Sequence, residues 1–153
     1  MTNTALSRAC RASVDVVVPV LNEAHVLETS VARLRLYLRE HLCYRWRVVI
    51  VDNGSTDGTR EVAERLAATC PDVRFLHLTQ RGRGRALRSA WLQSDADVAC
   101  YMDVDLSTDL NHVPELIDAI IQEGYDLATG SRLSRESRTR RSFKREFISR
   151  VYN

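Results

Sequence analysis

Short runs of β-branched residues alternate with longer amphipathic stretches along this chain of 153 residues. The apolar runs are nearly continuous, which is typical of strands that are covered on both faces. The stretches between them have apolar residues three and four positions apart and predict the covering helices. The pattern predicts strands over 14–20, 47–51, 73–78, 97–102 and 126–129, and helices over 24–40, 57–69, 84–93 and from an N-cap at Asn111 to Gly124. Strands joined through helices form parallel sheets with right-handed crossovers, so the sequence predicts an α/β domain with a Rossmann-like, mostly parallel sheet flanked by helices.

A polar turn follows every predicted strand. In an open parallel sheet the carboxyl ends of the strands meet at one edge, and ligands bind in the crevice beyond them. The five turns are 19–23, 52–59, 80–85, 103–107 and 130–132. Their convergence on one edge predicts a ligand site there.

Two acidic residues, Asp103 and Asp105, come directly after the fourth predicted strand. In an extended chain, side chains two residues apart point to the same side. Two neighbouring carboxylates repel each other unless a cation lies close to them. Oxygen ligands suit Mg²⁺ or Mn²⁺, and such sites are commonly completed by substrate phosphates, so the pair predicts a divalent metal site. The alternative is that one Asp caps the next turn and the other is solvated.

Other residues of these turns are open to more than one interpretation. Asp52 either forms an Asx turn or accepts a hydrogen bond from a nucleotide base or ribose. Gly82 allows a ligand to approach the backbone at a helix start, where amides favour anions, and Arg83 can pair with phosphate oxygens. The sequence has neither GxxxxGK[ST] nor GxGxxG, which argues against a P-loop NTPase and a dinucleotide-binding site. The acidic turns would repel a nucleic-acid backbone, so no nucleic-acid partner is predicted.

Composition changes this picture mainly through charge, since 44% apolar and 27% charged residues are ordinary for a globular domain. Residues 1–130 have 14 Arg against 18 Asp and Glu, a net charge of −4, whereas residues 131–153 have 8 Arg and Lys against 2 Glu, a net charge of +6. A basic end on an acidic body predicts an anionic partner. We therefore divide the chain into a flexible N-terminal tail over 1–13, a core over 14–130 and a basic loop and helix over 131–153.

The sequence also bears on location. No apolar run is long enough to cross a bilayer, and the N-terminus has no hydrophobic leader. Four widely spaced cysteines form no CxxC pair, which favours reduced thiols. These features predict a cytoplasmic protein.

Five segments together carry a resemblance to a known family. VVVPVLNEAHVLETSV, VVIVDNGSTDGT, RGRGRAL, YMDVDLSTDL and GSRL, in this order, resemble glycosyltransferase family 2 over about residues 14–153. The resemblance implies the GT-A fold, a Rossmann-like fold of nucleotide-diphospho-sugar transferases. Within the family, the chain is most similar to dolichyl- or polyprenyl-phosphate mannose synthases and glucosyltransferases, including bacterial membrane-associated members.

The resemblance implies roles for individual residues. Asp103 and Asp105 would be the DxD pair that holds Mg²⁺ or Mn²⁺ on the donor diphosphate. Arg132 would neutralise the diphosphate or the acceptor phosphate, and these three are the predicted catalytic residues. The predicted donor-binding residues are Pro19, Val20, Asn22, Glu23, Asp52, Gly82, Arg83, Asp103, Val104 and Asp105, with Asp52 in contact with the base. The family usually has a second Asp where Asn53 stands, a departure that bears on base recognition rather than on the metal.

The implied reaction is transfer of a hexose from a UDP- or GDP-hexose to an acceptor such as a polyprenyl phosphate, by metal-assisted displacement with inversion. The implied location is peripheral, at the inner face of the cell membrane, where the basic segment 131–153 would meet anionic lipid. A dimer or larger oligomer is left open. Family members continue with an acceptor-side segment, so we expect a truncated chain, and the alternative function is a partial transferase that acts as a nucleotide-binding or membrane-docking module. A sugar-nucleotide-forming nucleotidyltransferase would have a Gly-rich first turn, where this chain has PVLNEA.

Overall fold

A parallel sheet of four strands forms the centre of the molecule. The structure is a computed structural model that describes residues 12–130. The strands are β1 (Ser13–Val20), β2 (Arg45–Asn53), β3 (Val73–Leu78) and β4 (Val98–Tyr101), in the order β3-β2-β1-β4 with every pair parallel. The helices are α1 (Ala24–His41), α2 (Thr59–Thr69), α3 (Arg83–Leu92) and α4 (Val113–Ile121), and a 3₁₀ turn (Leu110–His112) precedes α4. The predicted α/β architecture is confirmed.

Different helices pack against the two faces of the sheet. Even-numbered valines of β1 face a larger core formed with α1, α2 and α4, in which Leu27, Leu38 and Ile117 are almost fully buried. Odd-numbered residues such as Val17 and Val51 face a smaller core formed with α3. Because both faces are covered, the strands can be apolar at successive positions, as the continuous runs in the sequence predicted.

The fifth strand predicted over 126–129 is wrong, since the described residues there are irregular and Leu127 is 81% exposed. A strand is stable only when a neighbour satisfies its backbone hydrogen bonds, and among the described strands β4 pairs with β1 alone. Residue Asn111 is not the N-cap of the last helix either. The carboxylate of Asp109 accepts a hydrogen bond from the Asn111 backbone N–H at 3.0 Å, which places Asn111 inside the 3₁₀ turn.

A charged network lies at the amino ends of the strands, opposite the predicted ligand edge. Asp15 of β1 is 2% exposed, and both of its carboxylate oxygens accept hydrogen bonds from Arg47 of β2 at 2.9 Å. Ser94 donates a third hydrogen bond to Asp15 at 2.7 Å, and Arg47 also pairs with Asp95 at 2.6 Å. The hydrogen bonds that Arg47 donates to Asp15 and Asp95 raise its pKa above its ordinary value. The network therefore satisfies a carboxylate that the sheet has removed from water.

The remaining sequence predictions concern the chain ends and the membrane. β1 begins at Ser13, so the last residue of the predicted tail belongs to the sheet. The rest of that tail and the predicted basic loop and helix over 131–153, with Arg132, lie outside the described residues. Within 12–130, no helix combines the length and apolar character that a membrane span requires.

Candidate functional site

Side chain–backbone hydrogen bonds join the first two loops at the carboxyl edge. The Asn22 N–H donates to the Ser55 hydroxyl at 2.9 Å, and the Asn22 side-chain oxygen accepts from the Thr56 N–H at 2.8 Å. The Glu23 N–H donates to the Thr59 hydroxyl at 2.8 Å. Asn22 has a φ of 57°, a left-handed conformation that Asn tolerates better than most residues. The side chain of Asn22, which is predicted to line the pocket for a nucleotide sugar, is thus hydrogen-bonded to the second loop. Glu23 is tied to the same loop through its backbone N–H.

Asp57 continues this junction. One of its oxygens accepts a hydrogen bond from the Thr59 N–H at 2.9 Å, and the other accepts from the Ala24 N–H at 3.3 Å. These hydrogen bonds, above all that of the Thr59 hydroxyl, hold the pKa of Asp57 below its ordinary value. An ionised Asp57 therefore links the beginnings of α1 and α2 across the edge.

Asp52 lies at the end of β2, but its side chain is fully buried. One carboxylate oxygen accepts from the Ser55 N–H at 3.1 Å, which is the Asx turn considered from the sequence, and the other lies 2.8 Å from His77 Nδ1. His77 is opposite Asp52 in the β2–β3 register. A contact between Asp52 and a nucleotide base stays a prediction, and it requires the surrounding residues to move, because the carboxylate is fully buried.

Replacing Asp52 with Ala is expected to lower the free energy of unfolding by about 2 kcal/mol, because it leaves the half-buried Ser55 N–H and His77 Nδ1 without their partner. Replacing it with Asn, which retains one acceptor oxygen, is expected to cost less than half as much. Urea unfolding followed by circular dichroism measures both variants. Equal losses in the two would show that the hydrogen bond to Ser55 is not what matters.

Asn53 faces the opposite side of the sheet from Asp52 and meets the third loop. Its side-chain oxygen accepts a hydrogen bond from the Gly82 N–H at 2.7 Å. Gly82 has a φ of 150° and Gly54 a φ of 75°, and a Cβ on Gly54 would lie 3.3 Å from the Thr79 carbonyl oxygen, so both turns favour glycine. Sequence reasoning placed Asn53 in the 52–59 turn at this edge but did not predict its contact with the third loop. Strand alternation contained the signal, since only one of two successive residues can face the 80–85 turn.

The end of β1 contributes little side-chain surface. Val20 is 2% exposed and belongs to the larger core, so only its backbone is available to a ligand. Pro19 is half-buried on the other face. The predicted donor-binding roles of these two residues stay predictions.

Asp103 and Asp105 lie in a turn, and the extended conformation expected for them is wrong. β4 ends at Tyr101, and the Leu106 N–H donates to the Asp103 carbonyl at 3.1 Å. The physical reason is the residue between the acids: Val104 is 6% exposed and packs into the larger core, which bends the chain around it. The flanking carboxylates stay at the surface, Asp103 with 38% of its side chain exposed. Because its side chain is buried, only the backbone of Val104 is available to a bound nucleotide sugar.

Arg83 brings the third loop to this acidic turn. Its Nη2 lies 2.5 Å from Asp103 Oδ1, and its guanidinium carbon lies 5.5 Å from the centre of the Tyr101 ring. Tyr101 also contacts the half-exposed ring of Trp91, with ring centres 6.1 Å apart. Positive and negative groups that are twenty residues apart in sequence therefore meet at the carboxyl edge.

The donor set of this turn fits a magnesium or manganese ion. Within residues 12–130, no three His, Cys, Asp or Glu side chains gather into a metal cage. Mg²⁺ is commonly held by one or two carboxylates, with water and substrate phosphates completing its shell, so two surface carboxylates are a sufficient protein contribution. Asp105 is exposed, and the oxygen that accepts from the Ser107 N–H at 3.0 Å retains a free lone pair, while its second oxygen has no hydrogen bond with the described residues.

The fold and the edge define an α/β domain of the kind that binds ligands at the carboxyl ends of its strands. The model of the family "Glycosyl transferase family 2" matches residues 15–153, and the chain belongs to this family. The GT-A fold that the sequence resemblance implied is thereby confirmed.

Three comparisons indicate how far the similarity extends. Glycosyltransferase AglD of Haloferax volcanii is 37% identical over 151 residues, which is 97% of this chain and 24% of that protein. Polyprenol monophosphomannose synthase of Mycolicibacterium smegmatis is 35% identical over 122 residues, or 76% of this chain and 44% of that protein. The structure of mannosyltransferase PcManGT from Pyrobaculum calidifontis, in complex with GDP-Man and Mn²⁺, matches with a TM-score of 0.59 and 29% identity, covering 72% of this chain and 32% of the other. The chain therefore spans less than half of the length of these relatives.

Proposed function

We propose that this domain binds a nucleotide-diphosphate sugar at the carboxyl edge of its sheet. The observation that carries the proposal is the meeting of Arg83 with Asp103, beside Asp105, at that edge. A diphosphate with its metal needs both a cationic side chain and hard oxygen ligands, and these residues supply them. The GDP-Man and Mn²⁺ of the PcManGT complex support the same assignment.

We further propose that the protein transfers the hexose to a lipid phosphate of the polyprenyl type. The name of the Mycolicibacterium relative supports this acceptor class. A lipid phosphate is an anion at neutral pH, so its oxygen can attack the anomeric carbon without losing a proton, and the reaction needs no strong general base. A single displacement of this kind inverts the anomeric centre.

The chain's own groups act on the leaving diphosphate. Asp103 and Asp105 would hold the Mg²⁺ or Mn²⁺, which when bound supplies positive charge to the departing phosphate oxygens. Arg83 binds a phosphate oxygen of the donor. The Gly82 N–H donates to Asn53, and this hydrogen bond would hold the backbone of the third loop next to the position proposed for the phosphate. We assign Arg132 and the basic segment 131–153 to the acceptor phosphate and to an anionic membrane at the cytoplasmic face.

Calorimetry on the 153-residue chain tests the donor site. Titration with UDP- and GDP-hexoses is expected to give binding heats in Mn²⁺ that disappear in excess EDTA, with one nucleotide preferred. Equal heats with and without the metal would contradict the metal site. Transfer of radiolabelled sugar to polyprenyl phosphate vesicles then tests the acceptor, and donor binding without transfer would support the alternative of a partial transferase that acts as a nucleotide-binding module.

A further inference from the structure

Arg83 is the counter-ion of the first acid of the DxD turn. It is the first residue of α3, and the hydrogen bond between the preceding Gly82 N–H and Asn53 fixes where that helix begins. From this position its guanidinium reaches Asp103 Oδ1 at 2.5 Å and lies against the Tyr101 ring. Three separate contacts thus direct this arginine to the carboxylate that is proposed to bind a metal.

The same oxygen cannot serve a guanidinium and a divalent cation equally well. Two cations on one carboxylate repel each other, and the arginine lowers the negative potential that attracts a metal. An added diphosphate removes this conflict, because its oxygens can accept the guanidinium while other oxygens join the carboxylates around the metal. The side chain is 55% exposed, so it has room to make this exchange.

From this geometry we infer that Arg83 is an exchangeable counter-ion, which suppresses metal binding to Asp103 until a nucleotide diphosphate arrives and then binds that diphosphate. The inference rests on the proposed donor site and adds an order of binding to it, because the metal enters together with the nucleotide and not before it. Arg83 is a donor-binding residue in this scheme, and its second role is to couple the two ligands. Removing the Arg83 charge is therefore expected to strengthen binding of the metal alone and to weaken binding of the nucleotide sugar.

Replacing Arg83 with Gln tests the inference on the 153-residue chain. Free Mn²⁺, followed by its electron paramagnetic resonance signal, is expected to bind the variant roughly three- to tenfold more tightly than the unaltered protein in the absence of nucleotide, as expected for release of a partly exposed ion pair. Affinity for GDP- or UDP-hexose in saturating Mn²⁺ is expected to fall by at least about tenfold, because a charged hydrogen bond to phosphate is lost. Replacing Arg83 with Lys keeps the charge and is expected to reverse most of the gain in Mn²⁺ affinity.

Arg88 provides a matched control. It lies on the same helix, it is exposed, and it has no hydrogen bond or ion pair with the described part of the chain. Replacing Arg88 with Gln makes the same change in net charge and is expected to leave Mn²⁺ affinity within about twofold, because an exposed charge with no ion pair to the acidic turn has a small effect there.

The outcomes separate the inference from the proposed function. Unchanged or weaker Mn²⁺ binding by the Arg83→Gln variant, in a protein that still binds donor with Mn²⁺, overturns the counter-ion role and leaves the proposed function standing. An equal gain in the Arg88→Gln variant overturns it as well, because net charge would then be the cause. Absence of Mn²⁺ binding by every variant, with and without nucleotide, overturns both.

Discussion

Replacing Asp105 with alanine is expected to abolish the Mn²⁺-dependent part of nucleotide-sugar binding, with a loss in affinity of about a hundredfold or more. Removing only an outer partner of a metal ligand commonly costs 10- to 100-fold, and Asp105 is proposed as a direct ligand. The remaining acid, Asp103, is paired with Arg83 before the donor arrives, so the variant offers the metal one carboxylate of this turn at most. Calorimetric titration of the donor in Mn²⁺ and in EDTA measures the effect.

The same substitution is expected to leave the fold intact. Asp105 is exposed, and its one hydrogen bond within the described chain, from the Ser107 N–H, lies at the surface, where water can replace the carboxylate. Glu123 supplies the control: it is an exposed acid just beyond the end of α4, its side chain makes no hydrogen bond or ion pair with the described residues, and Glu123→Ala makes the same change in charge. Retained Mn²⁺-dependent affinity in the Asp105→Ala variant would contradict the metal assignment, and a lower melting temperature would indicate that Asp105 stabilises the turn.

Much of the fold could be predicted because the strands are covered on both faces. A strand such as β1, apolar at nearly every position, has no stable place in an exposed sheet, so its composition already implies helices above and below. Residues 126–129 have no such run, and whether they pair depends on a neighbouring strand that local sequence does not specify. The misplaced N-cap has a similar cause, since Asp109 closes the turn two residues earlier with the same chemistry as Asn111.

The position of the turns at the carboxyl edge could be predicted from the sequence, whereas the face of the sheet on which each side chain lies could not. Topology alone brings the turns together at the carboxyl edge, and this required no knowledge of individual contacts. The separation of Asp52 from Asn53 follows from alternation, but only once the end of β2 is known to include both. The pairing of Asp52 with His77 depends on the register of β2 against β3, which no local spacing encodes.

The acidic turn shows a further reason for error. Reasoning from Asp103 and Asp105 alone assumed that the chain stays extended beyond the strand, because two acids at alternate positions of an extended chain point to the same side. The burial of Val104 decides the conformation instead, and it draws the backbone inward between two side chains that must stay in water. The metal hypothesis survives this correction because it needs both carboxylates at the surface, and the turn keeps them there.

The second large effect is expected at the opposite edge, where replacing Arg47 with Leu should lower the free energy of unfolding by about 3 kcal/mol. Asp15 is 2% exposed and, among residues 12–130, would retain only the Ser94 hydroxyl as a partner. A buried carboxylate that loses its cation costs far more than an exposed one, and this loss would be a large part of a domain's total stability of about 5–15 kcal/mol. Urea unfolding of the variant and the unaltered protein measures the difference.

A double variant distinguishes the buried charge from simple loss of packing. In Asp15→Val with Arg47→Leu, both charges are gone and a β-branched side chain takes the strand position, so at least half of the stability lost in Arg47→Leu is expected to return. That outcome would mean that Arg47 matters mainly because Asp15 is buried, whereas a double variant more stable than the unaltered protein would show that the pair is less stabilising than an apolar replacement of both. Additive losses in the two single variants would instead show that Arg47 stabilises the sheet mainly through the packing of its own side chain, with the carboxylate of Asp15 adequately satisfied by Ser94.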